Sequence, residues 1–574
     1  MHEEPVLAAR TASPRSRRAA LFVASGLAAL LLLVGTAAAA QRGELDPTFG
    51  SGGQLTLEDG FPNAQINGMA VQPDGKTLLV GSTEGYVETS DFLLIRLDAD
   101  GSLDPTFGSG GVVTTDFAHF QDGAGAAAIA PDGKIVVAGY ASYGKDNGER
   151  ELAVARYEAD GTLDPTFSGD GKQTVSFAAE PGEGGSEGAQ SVAIQPDGKV
   201  VIGGSANPSG TEIDFGIARF DANGELDPTF SGDGRQMTEF TSGGAAIRKL
   251  AIGPEGKIVA LGYSVQAGGI YEFALARYDA DGELDDSFSG DGKTTAEFRA
   301  GGTSEPWGLA LQPDGKILAG GFAGVEFDGY EFVLARFDAD GELDPSYGDA
   351  GVAKAQFVPS VGVALPPEAF AMAGLSLAPD GTAFLAGSFR FFEEELFVMH
   401  EEMAVAAFRP DGTLDPGFSG DGLATFAFGG TASAVVSALD PQGRLLLAGF
   451  VAEEPSSRFV VSRLFGLEPP LPPVTPVTPP ATAPGTAPAS EPVAPPVVTP
   501  VSVACRRATT GLRLADRRVG VTGARLAAAR KRLARADGRR QKAAARRALR
   551  RARIRFEGSK DNRDRASRKA AARC

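Results

Sequence analysis

Ala126-Ala127-Ala128-Ile129-Ala130-Pro131-Asp132-Gly133-Lys134-Ile135-Val136-Val137-Ala138 decides the fold of this chain. An apolar run meets a tight turn and comes back as a second apolar run. Proline presets the first turn angle and glycine accepts the positive one, so Pro131-Asp132-Gly133 closes a hairpin. Downstream, Glu151 to Tyr157 supplies a third strand that ends at the turn Asp160-Gly161. Leu163-Asp164-Pro165-Thr166-Phe167 follows, then a fourth, more polar strand, Lys172 to Phe177. The stretch has no helical periodicity.

The same unit recurs along the body of the chain. Leu-Asp-Pro-Thr-Phe or a variant begins at Leu45, Leu103, Leu163, Leu226, Leu284, Leu343 and Leu414, at intervals of 58, 60, 63, 58, 59 and 71 residues. Pro-Asp-Gly or a variant begins at Pro73, Pro131, Pro196, Pro254, Pro313, Pro379 and Pro441. An apolar strand carrying one arginine is the third marker: Arg96, Arg156, Arg219, Arg277, Arg336 and Arg463, with Ala407 at that place in the sixth unit. A fixed period of this length signals a repeat architecture. Four antiparallel strands per period describe a blade, so the chain is expected to be all-β, a seven-bladed β-propeller of four-stranded antiparallel blades. A parallel β-helix is the competing reading, but it uses shorter repeats with fewer hairpins.

The phase of the repeat predicts how the ring closes. If a blade begins at the run before Pro-Asp-Gly, its strands are A, B, C and D. The seventh unit has A at Ala434 to Leu439, B at Arg444 to Ala448 and C at Phe459 to Phe465, and no D. An orphan strand sits at the other end, around Gln54 to Leu57. Pairing the two removes an exposed edge and ties the ends of the domain together.

Leu103 to Gly108, Pro131 to Gly139 and Ala274 to Gly282 resemble the delta-60 repeat family, and the resemblance covers roughly residues 43 to 466. The order of the strands also resembles the NHL-type propeller repeat. The delta-60 resemblance implies an exported bacterial propeller-like protein without an assigned activity. It therefore informs the fold and not the chemistry. Departures stand at Asp286 in place of proline, at Pro416-Gly417-Phe418 and at Ala407, which makes the sixth unit the most divergent.

Composition divides the chain into four parts. Residues 1–40 read as an export signal: Arg10, Arg15, Arg17 and Arg18 precede an uncharged stretch that ends in four alanines. An uncleaved anchor is the alternative. Residues 41–467 are the seven-repeat propeller. Residues 468–500 form a linker in which 13 of 33 residues are proline, a composition that prefers extended polyproline and builds no core. Thr475, Thr478, Thr482 and Thr486 in it suit O-glycosylation or a plain spacer equally. Residues 501–574 are expected to form a small basic helical hairpin.

Charge follows the same division. Residues 41–500 hold 25 basic and 66 acidic residues, a balance of −41, whereas residues 501–574 hold 25 basic and 5 acidic ones, a balance of +20. An acidic body with a basic attachment tail is the expectation. The tail suits an anionic envelope polymer or lipid headgroups; nucleic acid fits the charge, but export argues against it. The two cysteines, Cys505 and Cys574, flank the tail, and export permits a disulfide between them.

Five arginines stand on strands apolar on both faces, each eight residues before the aspartate of Leu-Asp-Pro. Buried charge needs a partner, so five ion pairs are expected: Arg96–Asp104, Arg156–Asp164, Arg219–Asp227, Arg277–Asp285 and Arg336–Asp344. Such a repeated feature reads as a staple rather than a site. Acidic loops such as Asp98-Ala99-Asp100-Gly101-Ser102-Leu103-Asp104 space carboxylates as Ca²⁺ loops do, yet they lack the distal glutamate, and Asp-Gly is also a good turn. No cofactor is expected beyond that weak Ca²⁺ candidate.

With 3 His and 2 Cys in the chain, His119 and His400 in unrelated units and no phosphate-binding glycine loop, no catalytic kit is visible. The most irregular unit offers a ligand loop: Phe389, Phe391, Phe392, Phe397 and His400 surround Glu393, Glu394 and Glu395. An extended hairpin packing on its neighbour explains them as well. Trp307 falls on an inner A strand and is assigned to the core. The expected function is a secreted or surface-displayed binding scaffold for a protein or glycan ligand. A carboxylate-using carbohydrate-active enzyme and a purely structural envelope protein are the alternatives.

Overall fold

The structure is a computed structural model. It describes residues 41–467 apart from 58–63, 84–89, 118–119, 144–149, 179–184, 209–212, 241–242, 326–328, 360–367, 394–397, 429–430 and 454–455. The export segment, the linker and the tail with Cys505 and Cys574 lie outside the described residues, as do His119 and Phe397.

Within them the chain forms seven sheets, each of four antiparallel strands hydrogen-bonded in the order A-B-C-D. A is innermost, and the A strands touch one another round the ring. Blade one runs from Gln65–Val71 to Val112–Thr115. Its central strands Thr77–Ser82 and Phe92–Leu97 are buried at every residue, because each sheet is sandwiched between two others. That is why these strands read as continuous apolar runs rather than alternating ones.

Cores lie between blades. Leu78, Val80, Leu94 and Phe107 of blade one pack on Ile135, Val137, Ala153 and Tyr157 of blade two. The aromatic of Leu-Asp-Pro-Thr-Phe is the recurring plug: Phe49, Phe107, Phe167, Phe230, Phe288, Tyr347 and Phe418 are all at most 1% exposed. A glycine of the following blade receives it. Gly161 has φ +89°, and a Cβ there would fall 2.8 Å from the Phe107 ring, so both the turn and the plug require glycine.

Closure uses the N-terminal strand. Gln54–Leu57 pairs antiparallel with Ser456–Leu464, in the register Gln54↔Ser462 to Leu57↔Phe459. Flanking bonds extend the seam: Gly43 N–H donates to the Phe465 carbonyl at 2.7 Å and Asp46 N–H to the Arg463 carbonyl at 2.8 Å. Blade seven is thus built from both ends of the described chain.

Candidate functional site

Antiparallel blades give the ring two faces. One carries the A–B turns and C–D loops, the other the B–C hairpins and the D-to-A crossovers.

On the first face the same device repeats. In blade three, Arg219 Nε donates to Asp227 Oδ2 at 2.8 Å, and Lys199 Nζ meets the same oxygen at 3.0 Å. Arg219 also bonds Thr229 Oγ1 at 3.1 Å and the Ala280 carbonyl of blade four, while its guanidinium carbon stands 4.7 Å from the centre of the Phe230 ring. Each arginine therefore holds its own C–D loop, covers the plug and bolts the next blade. The Nε–Oδ2 distances are 2.7 Å for Arg96–Asp104, 2.6 Å for Arg156–Asp164, 2.7 Å for Arg277–Asp285 and 2.9 Å for Arg336–Asp344. The reach to the next blade recurs, from Arg156 to Ala222 at 2.6 Å and from Arg336 to Pro410 at 2.7 Å.

A third partner was missed in the sequence. Lys76, Lys134, Lys257 and Lys316 repeat the part of Lys199, reaching Asp104, Asp164, Asp285 and Asp344 at 2.6 to 3.0 Å. The signal was the basic residue that follows Pro-Asp-Gly or soon after it.

Burial alone would raise the Asp227 carboxyl. Hydrogen bonds from Thr229 and Lys199 and the charge of Arg219 outweigh it and hold the group well below the usual carboxylate range. Asp104, Asp164 and Asp285 are depressed by the same balance; at Asp344 the Ser346 hydrogen bond is the largest influence.

The last two blades vary the theme. In blade seven Arg463 Nε meets Asp46 Oδ2 at 2.9 Å, so this pair joins the two ends of the described chain. In blade six, where Ala407 replaces the arginine, Asp415 is met by Arg42 at 2.7 Å and by Arg409 at 3.2 Å. Arg42 comes from the N-terminal segment and also donates to the Gly466 carbonyl at 2.8 Å.

The acidic loops spend their carboxylates locally. Asp100 Oδ1 accepts from the Ser102 N–H at 2.9 Å and its hydroxyl at 2.7 Å, and Asp98 pairs with Lys76 at 2.5 Å. The carboxylates that do converge are others: Asp91, Asp116 and Asp122, with oxygens within 4.8 Å of one another. Asp116 and Asp122 flank the D-to-A crossover between blades one and two, Asp91 ends the B–C hairpin of blade one, and Asp122 accepts the Phe117 N–H at 2.7 Å. Glu187 plays that part in blade three, accepting from Phe177 and Asn207, each at 3.1 Å. The acidic side chain is thus a crossover cap.

The second face differs from blade to blade. In blade six the B and C strands, Ala383–Glu393 and Val398–Phe408, form a long hairpin. Phe389 and Phe391 are 3% and 6% exposed and pack inward with Phe357, so they belong to the interface between blades five and six. Phe392 is half-buried. His400 stacks on Phe391 at 4.9 Å and bonds Glu393 at 2.8 Å. Next to it, Phe370 joins Phe322 and Tyr330 in a cluster at 4.9 to 5.6 Å between centroids. Blades four and five continue the aromatic belt with Tyr263, Tyr271 and Trp307. Trp307 is on the inner strand, as its spacing predicts, but it is half-buried rather than core, with the Arg248 guanidinium 4.2 Å above its ring.

Segments 72–107, 130–167, 195–230, 253–288 and 312–347 match a family described as "Domain of unknown function (DUF5122) beta-propeller". Each runs from just before the A–B turn to the aromatic plug. No curated protein matches the chain. Among solved structures, the chain is similar to a catalytically inactive virginiamycin B lyase from Staphylococcus aureus with quinupristin. The identity is 11% over 71% of this chain and 98% of that one, with a TM-score of 0.38. An ulvan lyase, a polysaccharide lyase, has 11% identity over 71% and 96%, also with a TM-score of 0.38. A protein of unknown function from Dyadobacter fermentans has 11% identity over 72% and 97%, with a TM-score of 0.33. Likeness this distant carries no argument about what the chain does. Seven four-stranded sheets and five matched segments make this chain a β-propeller repeat protein.

Proposed function

We propose that the protein is an exported binding scaffold that takes a protein or glycan ligand on the face of B–C hairpins and D-to-A crossovers. One observation carries this reading. The other face repeats the same fastening in blade after blade; this face repeats a phenylalanine pair between C strand and crossover, but at the inner-strand bulge and the long hairpins it carries different aromatic and charged groups from blade to blade. Repetition serves the ring, and departure from it serves recognition. The ends of the chain fit the same role: the basic tail gives the acidic body an electrostatic hold on anionic envelope material.

Glycan and peptide arrays probed with the full chain test the binding face. Binding lost on substituting Tyr263, Tyr271 and Trp307 together, with the melting temperature kept, supports it. Binding indifferent to that change refutes it. For the tail, retention on the cell envelope should fall as salt rises from about 0.1 to 1 M, and fall likewise in a chain ending at Pro500. A carboxylate-using carbohydrate-active enzyme is the second reading. Its support is Glu305, whose carboxyl burial raises and which the more distant Arg248 lowers. Turnover of any array glycan would decide for it.

A further inference from the structure

The inner strands carry an irregularity that the sequence period hides. In six blades one residue bulges out of the A–B register at the same place: Asn67, Gly125, Gln190, Arg248, Trp307 and Val435. In blade six the break is wider, from Phe370 to Gly374, and includes Met372. A bulge re-aims a side chain out of the ladder. Because the inner strands touch round the ring, these residues stand at one level about the axis. Their side chains reach solvent: Asn67, Gln190 and Met372 are exposed, and Arg248, Trp307 and Val435 are half-buried.

Blade four departs from the rest. Its bulge residue, Arg248, lies over the bulge residue of blade five, Trp307, and 5.0 Å from the Tyr263 ring centroid, which in turn is 5.1 Å from that of Tyr271. Lys249 comes next. In the other blades the residue after the bulge is Gly68, Ala126, Ser191, Gly308, Gly374 or Val436. Blade four alone puts a charge there.

These groups are chemically unspent. The Lys249 side chain makes no hydrogen bond or ion pair among the described residues. Burial lowers its pKa, and the charge of Arg248 lowers it further. Arg248 has its two ring contacts and feels the more distant charge of Glu305. Trp307 Nε1 is buried without an acceptor. Setting two adjacent cations and an unpaired N–H into one desolvated corner is costly. Six blades that do without the lysine show that the fold does not require it. The body around the corner is strongly acidic, so background charge does not explain a positive cluster either.

We propose that Arg248, Lys249 and Trp307 form an oxyanion site where the inner strands of blades four and five meet, holding the carboxylate or phosphate group of a small ligand whose body lies against Tyr263 and Tyr271. Arg248 and Lys249 supply charge-assisted hydrogen bonds, and the indole N–H supplies a third donor. Glu305 stands on the strand of Trp307, where it can accept from a ligand hydroxyl. The inference rests on the reading of this face as the binding face and adds the chemistry of one ligand.

The chain holds one tryptophan, so its fluorescence reports this corner alone. The full chain is titrated with glucuronate and with inorganic phosphate, against glucose and matched sodium chloride. The expected result is a saturable change with an oxyanion and none with glucose or chloride. Saturation with glucuronate alone assigns a carboxylated sugar; saturation with phosphate assigns a phosphate group. Lys249→Ala, which copies Ala126 of blade two, should weaken the affinity about tenfold or more and leave the melting temperature unchanged. No change up to about 10 mM of either oxyanion, an equal response to glucose or chloride, or Lys249→Ala binding as tightly as the parent would overturn the site. Array binding without a tryptophan response keeps the binding face and removes this site; a tryptophan response without array binding keeps the site and removes the protein or glycan of the proposed function as its ligand.

Discussion

The face of A–B turns and C–D loops is assembled again and again from the same parts, whereas the face of B–C hairpins and crossovers repeats a phenylalanine pair and varies at its inner-strand bulges and hairpins. On the first, Arg219, Asp227, Lys199 and Phe230 have counterparts round the ring, and the arginine reaches the next blade. On the second, bulge residues as unlike as Asn67, Arg248 and Trp307 hold equivalent places. The contrast teaches that what recurs in this chain fastens blades, and that what varies is free to meet a ligand.

The seam should respond most strongly. Deleting residues 43–57 removes the D strand of blade seven, Asp46 from Arg463 and the Gly43 bond to Phe465. Urea unfolding should then lose more stability than in any point variant below, because an open edge replaces a paired one. An unchanged midpoint would mean that the ring holds without its seam.

Core plugs come next. Phe167→Ala empties a fully buried position and should cost about 3–5 kcal/mol. Met399→Ala, on the variable hairpin at 46% exposure, should stay within about 0.5 kcal/mol. Similar losses at both would erase the difference between the faces.

A pair of glycines sharpens the comparison within the repeated face. Gly133 and Gly161 have φ of +88° and +89°, yet open space surrounds the first and the Phe107 ring crowds the second. Gly133→Ala should cost about 1 kcal/mol from the backbone alone. Gly161→Ala should cost about 2–3 kcal/mol, since the plug must also move. Equal costs would show that the turn, and not the plug, demands glycine.

Acid should act through the repeated face as well. The aspartates Asp104, Asp164, Asp227, Asp285 and Asp344 have folded pKa values below the unfolded one. Their contribution is therefore complete above the unfolded value of about 3.9 and is lost as pH falls below it. The melting temperature should change little between pH 7 and 5 and fall steeply below about 4. Asp227→Asn should make that fall shallower. A melting temperature level down to pH 2 would contradict the account.

Much of the repeated face was legible because its parts recur at a fixed spacing. Arg219 and Asp227 are eight residues apart in an apolar strand and a turn, and a buried charge demands a partner. Arg42 was not legible, because it lies outside every repeat and far along the chain from Asp415. Nor was the bulge. One extra residue reverses the alternation of an inner strand without altering the period, so Trp307 reads as core while standing half-exposed. Phe389 and Phe391 showed the opposite: an irregular sequence suggested a ligand loop, and the long hairpin packs Phe389 on Phe357 and Phe391 on Phe389.

Two arginines, one on each face, test the central claim most directly. Urea unfolding of Arg219→Ala and Arg248→Ala, side by side in the full chain, compares a fastener with a binding group. Arg219→Ala takes from Asp227 one of its two cations, Lys199 remaining, and breaks the bonds to Thr229 and to the Ala280 carbonyl of the next blade, so it should cost about 2–3 kcal/mol. Arg248→Ala gives up two ring contacts and relieves the repulsion on Lys249, so its stability should stay within about 1 kcal/mol of the parent. Equal losses, or a larger loss at Arg248, would contradict the division of the ring into a fastening face and a binding face.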